Sequence, residues 1–192
     1  MKTTYTALAL ALALTSLSAQ AEIVDVNIGN KTFRGAFSGP LARFMPGTKG
    51  QYDVGAIFNR QNTDNLFQTH VGLLLTGDMG TTDVNLAAGL GGRLLYSRLG
   101  SSNGGALALG GQVEARPASF NRLGLSASTY YAPSITSFAD LDRYLESTVS
   151  LDYEVIHDGS IYGGYRNVKQ SIGSSGNTTV DNGLNVGVRL KF

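Results

Sequence analysis

The sequence predicts an all-β protein, a closed antiparallel transmembrane β-barrel of about ten strands. Three observations point there. Apolar residues recur at every second position along nearly the whole chain, the period of a strand and not of a helix. Several alternating segments outrun the roughly five or six residues usual in soluble sheets and suit the roughly 9–11 residues of a tilted membrane strand. Aromatic residues gather at segment ends, as the two interfaces of a bilayer require.

The first residues, MKTTYTALALALALTSLSAQA, have a lysine near the start, an apolar run from Ala7 to Leu14 and a small-x-small close at Ala19-Gln20-Ala21. This is the pattern of a secretory signal peptide. Cleavage is expected after Ala21, which makes 1–21 the signal peptide and 22–192 the barrel domain. The run is too short for the roughly 20 residues of a membrane-spanning helix, and later apolar runs are shorter still. Export without a helical anchor is the expectation.

Strand signals follow in order. IVDVNIG and KTFRGAFSG make two strands joined across Asn30, and the connector PLARFMPGTKG leads on. Tyr52, Val54, Ala56 and Phe58 alternate with Asp53, Gly55, Ile57 and Asn59. Phe67, Thr69, Val71, Leu73 and Leu75 then interleave with Gln68, His70, Gly72, Leu74 and Thr76. The next strand sets Val84, Leu86, Ala88, Leu90, Leu94 and Tyr96 against Asn85, Gly89, Gly91, Arg93 and Ser97. The same alternation continues through 107–116, 123–131, 145–155, 160–170 and the terminal GLNVGVRLKF. Turn-forming clusters such as GDMGTTD, GSSNGG, RPASFN and HDGS separate them. Eight strands is the alternative, with the first two segments folded as a plug. The stretch PSITSFADLDRYL is expected to form a short helical cap over the outer mouth.

Composition narrows the classes. Charged residues are 15% of the chain, against about 25% in a typical soluble domain, while 25 glycines dilute the apolar residues. The absence of cysteine excludes disulfide frameworks and thiolate metal sites. A net charge of +1 with no basic run predicts no nucleic-acid partner. No glycine-rich loop joins a strand to a helix, so no nucleotide is expected. No cofactor or metal is expected.

A soluble β-protein turns its apolar face inward, whereas a membrane barrel turns it to lipid and its polar face to the lumen. With the chain end placed in the periplasm, Phe58, Phe67, Tyr96 and Tyr131 fall at one rim and Tyr52, Tyr153 and Phe192 at the other. These are the expected girdles. The lumen then receives Arg93, Glu114, Arg116, Glu146, Asp152, Glu154, Arg166 and Arg189. Mixed signs on adjacent strands allow either a salt-bridged plug or a small polar channel lined by both signs. The expected activity is therefore a porin-like passage for small polar solutes or a largely plugged structural barrel.

Catalysis is not expected. His70 and His157 are the two histidines. His157 belongs to the HDGS turn; His70 faces inward beside Gln68 and below Asp64, with Ser126 and Ser128 also inward. No convergent triad is evident. A hydrolase around His70, or an adhesion protein acting through extracellular loops, stands as the alternative.

The closing GLNVGVRLKF, ending on an aromatic, resembles the assembly signal of bacterial outer-membrane barrels. Together with TYYAP at 129–133, Tyr-Arg after glycine at 164–166 and the signal peptide, it makes the chain resemble the YfaZ family of small outer-membrane proteins. That resemblance implies a barrel integral to the outer membrane of a Gram-negative envelope, with a proposed porin-like role and no catalytic residues to carry over; a monomer is the expected state. The implied partners are outer-membrane lipid and lipopolysaccharide, and the barrel-assembly machinery through the strand ending at Phe192.

Overall fold

The computed structural model describes residues 22–60, 65–173 and 176–192, and the expected signal peptide (1–21) lies outside them. Eleven strands form: β1 (Ile23–Gly29), β2 (Thr32–Pro40), β3 (Gly50–Arg60), β4 (Asn65–Asp78), β5 (Val84–Leu99), β6 (Ser102–Pro117), β7 (Leu123–Ala132), β8 (Ser137–Ala139), β9 (Leu141–Ile156), β10 (Gly159–Ile172) and β11 (Asn177–Lys191). Ten of them close a ring in which each strand is antiparallel to its neighbours, and β1 pairs with β11 from Ile23↔Lys191 to Gly29↔Asn185. Paired backbone bonds between Glu22 and Phe192, both 2.9 Å, extend that seam. Closure gives each of the ten ring strands a paired neighbour on both sides. Among the described residues no helix is long and apolar enough to cross a membrane.

The first two segments are wall strands, so the eight-strand alternative gives way to ten. The expected helical cap is also corrected. After a 3-10 turn at Ser134–Thr136, Ser137–Ala139 pairs with Ala106–Gly104 of β6 as β8. It thus continues the lane of β7, which pairs with β6 only as far as Leu109. The β5–β6 hairpin needs just the two residues between Leu99 and Ser102, and Gly100 supplies the positive φ (57°) that this tight turn demands.

The registers also fix the barrel's pitch. Followed through β2, β3, β4 and β5, the partner chain from Ile28 passes Phe33, Phe58, Phe67 and Arg98 and reaches Asn103 on β6. Followed the other way, it passes Val186, Gly163, Leu151 and Leu125 and reaches Ala115. The ring therefore closes with a stagger of twelve residues, Asn103 to Ala115 on β6. Such a stagger tilts the strands by roughly 40° and draws ten of them into a narrow bore.

The alternation sorts as an inside-out protein. Leu184, Leu90 and Val186 on the outer face are 77%, 76% and 66% exposed, while Asn27, Gln68, Arg166 and Asp152 inside are 2% exposed or less. Near the rim carrying the termini, the connector after β2 folds against the wall. Arg43 pairs with Glu22, and Phe44 meets the Tyr52 ring edge-on at 5.3 Å.

Candidate functional site: the barrel lumen

The inner face has two zones. At the end remote from the termini, Ile57, Leu66, Leu95, Leu99, Ala106, Ala108, Tyr130, Ala132, Leu141, Tyr144, Val168, Ile172 and Val180 form one buried apolar cluster. They come from β3, β4, β5, β6, β7, β9, β10 and β11, so the cluster crosses the bore from wall to wall. Val168, Ile172 and Val180 are 0% exposed. A β-bulge helps to build it. Register slips between Val168↔Asp181 and Lys169↔Thr179, so Val180 and its neighbour Asp181 are both buried. The sequence places Ile57 and Leu74 on the inner face, but it reads that face as polar overall and does not anticipate an apolar layer; at this level of the narrow bore, apolar side chains from facing walls meet.

Below that layer lie the charges. Arg93 reaches Asp53 through Nε (3.1 Å) and Glu146 through Nη1 (3.3 Å), and its guanidinium stacks 3.7 Å from the centre of the Tyr130 ring. The Tyr144 hydroxyl donates to Glu146 (2.7 Å) and accepts from Gln68 Nε2 (2.8 Å), joining the network to the apolar layer. His70 Nε2 lies 2.8 Å from Asp53 Oδ2. Gly72 makes this possible, since a Cβ there would strike the Asp53 carboxylate and lie 2.8 Å from Arg93 Cγ. Glycine at this position leaves the space that an ion pair occupies.

Arg166 makes a second centre, with Nε donating to Asp181 (2.7 Å) and Nη2 to Asn27 (2.9 Å). Asp25 makes a third, between Arg34 (3.5 Å), Arg189 (3.4 Å) and the Tyr162 hydroxyl (2.7 Å). A fourth lies nearest the termini, where Arg116 Nη2 meets Asp152 (2.7 Å) and Glu114 (3.3 Å). Gly124 clears the space for it, as a Cβ there would strike the Asp152 carboxylate and sit 2.6 Å from Arg116 Nη2.

A cavity of about 190 Å³ lies among the first three centres, lined also by Gln112, Ser126, Ser128, Thr148 and Ser150. Ile23, Glu114 and Arg189 are shared with a wider space of about 310 Å³ at the rim carrying the termini. The cavity faces the rim carrying the termini, and the apolar cluster lies at its other end. Exposure follows: the Arg93 side chain is 9% exposed, Arg189 28% and Glu114 46%.

The eight lumen charges named from sequence therefore fall in separate centres. Arg93 and Glu146 come together, as do Glu114, Arg116 and Asp152. Arg166 and Arg189 take other partners, and Glu154 stands apart at the rim, 3.9 Å from His157. The expected pairing between adjacent strands holds only in part. Arg93 on β5 reaches across to β3 and β9, because long side chains in a narrow bore meet the opposite wall as easily as the next strand. Asp25, Arg34, Asp53 and Asp181 were missed as partners. The parity of Asp25 and Asp53 marked them as inward; the bulge hid Asp181.

On the outer face, Phe58, Tyr96 and Tyr131 are 50%, 42% and 45% exposed at the rim remote from the termini, with Phe67 half-buried against Phe58, ring centres 5.0 Å apart. Phe33 joins this row through its pairing with Phe58. Tyr153 and Phe192 are 47% and 46% exposed at the opposite rim, where Tyr52 is half-buried against Phe37 and Phe44. Asp64, the residue set near His70 by the sequence, lies outside the described residues. Among the described residues no group of three His, Asp or Glu side chains is disposed to hold a metal.

No curated protein matches this chain. The family model described as YfaZ precursor matches residues 1–192, the whole chain, and this closed β-barrel protein belongs to the YfaZ family.

Proposed function

We propose that the protein is an integral outer-membrane barrel with its termini toward the periplasm, and that it is a sealed structural barrel and not a diffusion pore. The observation that carries the second half is the apolar layer across the bore, whose members are at most 9% exposed. Membrane residence is supported by the exposed aliphatic belt between two aromatic rows. On β9, Leu145 pairs with Tyr131, and Tyr153 lies eight positions away. At about 3.3 Å per residue and a tilt of about 40°, that is a belt roughly 20 Å tall, near the roughly 25 Å of outer-membrane barrels. Lipid and lipopolysaccharide around the belt, and the assembly machinery at the strand ending in Phe192, are the partners this reading entails.

The test is single-channel recording of the mature chain refolded into a planar bilayer, with folding verified by a heat-dependent gel shift. The wild-type protein stays silent, and Leu66→Ser with Leu95→Ser produces discrete openings. Wild-type openings whose size changes with Arg166→Ala would replace the sealed barrel with a pore.

A further inference from the structure

Basic side chains in this barrel fall into two populations. Arg34, Arg93, Arg166 and Arg189, inside, each have a carboxylate oxygen within 3.5 Å. Lys31, Arg60, Arg98, Arg143 and Lys169, around the sealed rim, are all exposed, and among the described ion pairs none involves them. Lys31 stands two residues from Phe33, Arg60 from Phe58, Arg98 from Tyr96 and Arg143 from Leu145, so these four lie one step beyond an apolar residue of the belt, whereas Lys169 has Asn167 and Ser171 at that spacing and meets the belt through its cross-strand partner Leu145. Arg60 N–H donates to the Lys31 carbonyl (3.3 Å), and Arg98 is paired with Phe67 on the strand next to β3. Across the ring, Arg143 pairs with Ser171 and Lys169 with Leu145, which makes the two cations diagonal neighbours. Among the described residues, the acidic groups on the segments around this rim are Asp140, whose carboxylate accepts from the Asn103 backbone N–H (3.1 Å), and Asp142. The collar is net positive. The opposite rim mixes Lys49, Arg122 and Lys191 with Asp78, Asp83 and Asp158.

We propose that this collar binds the phosphate groups of a phosphorylated glycolipid in the outer leaflet. The inference rests on the reading of the sealed rim as the outer one. Geometry favours a lipid over a soluble anion. The cations stand on a convex outer wall just above an apolar belt, from which long side chains bring their charged heads to headgroup level. Separate exposed cations hold a free anion weakly. Several phosphates tethered to acyl chains that already pack on the belt meet them at high effective concentration.

Native mass spectrometry of the refolded barrel, titrated with diphosphorylated lipid A, tests this. At roughly a fivefold effect per cation, Lys31→Gln with Arg60→Gln and Arg98→Gln weakens binding about a hundredfold. Arg143→Gln with Lys169→Gln, a separate pair, weakens it about twentyfold on the same scale, and dephosphorylated lipid A binds the wild type more weakly than the phosphorylated form binds either variant. Lys49→Gln with Lys191→Gln changes nothing. Equal binding by all variants, or displacement by millimolar inorganic phosphate, overturns the proposal while leaving the barrel intact. Failure of the wild type to insert into phosphatidylcholine vesicles overturns the barrel reading and this inference together.

Discussion

The sealed end of the barrel and its open end are built on the same strands with the same alternation, yet they solve opposite problems. At the sealed end, Ile57, Leu95 and Val168 fill the bore without water while aromatic and basic residues face out. At the open end, Asp25, Asp53, Glu146 and Asp152 are neutralised by arginines around a cavity, and a second aromatic row with Tyr153 and Phe192 faces out. The first end depends on packing, which is insensitive to salt. The second depends on matched charges in a low-dielectric bore, where losing one partner costs far more than the pair contributes.

The sharpest way to break the comparison is Arg93→Ala. It leaves Asp53 and Glu146, 7% and 4% exposed, without their shared cation. Unfolding by urea in lipid vesicles should show a loss of about 3–5 kcal/mol. Adding Asp53→Asn and Glu146→Gln should recover most of it, since neutral amides do not need that charge. Leu95→Ala at the sealed end should cost about 2–5 kcal/mol through lost contacts and a residual cavity. Unlike the Arg93→Ala loss, this loss should be unchanged between low and high salt.

Leu151→Arg tests the outer surface shared by both ends. Leu151 is 51% exposed, so in water the change would be worth at most about 0.5 kcal/mol. Facing lipid near the middle of the belt, it should cost about 2–4 kcal/mol in the same vesicle assay. The smallest effect belongs to the rim carrying the termini. Glu114→Gln removes a contact from a side chain 46% exposed, and its cost should stay below about 1 kcal/mol and vanish in high salt.

Much of this was legible in the alternation. Phe58, Tyr96, Arg93, Arg166 and Asp152 lie on the faces their parity assigns, because a pleated strand leaves a side chain only two directions. Phe33 carried the same signal within KTFRGAFSG. The apolar layer was legible only in fragments. Leu94-Leu95 and Leu73-Leu74-Leu75 place leucine on both faces, which does not reveal whether the inward one meets water or another wall. PSITSFADLDRYL contains the strand β8, but pairing with Gly104–Ala106, distant in sequence, decides it over a helix.

The sequence by itself determined the strands, their two faces and the inversion of polarity between them, since these follow from local stereochemistry and a period of two. Tertiary structure decided which inward groups meet. Ten strands closing with a stagger of twelve residues bring Arg93 to Glu146 and Arg166 to Asn27, and carry Val180 through a bulge into the seal. The reason is physical: contacts across a bore depend on the diameter and pitch of the closed ring, and no single strand contains either.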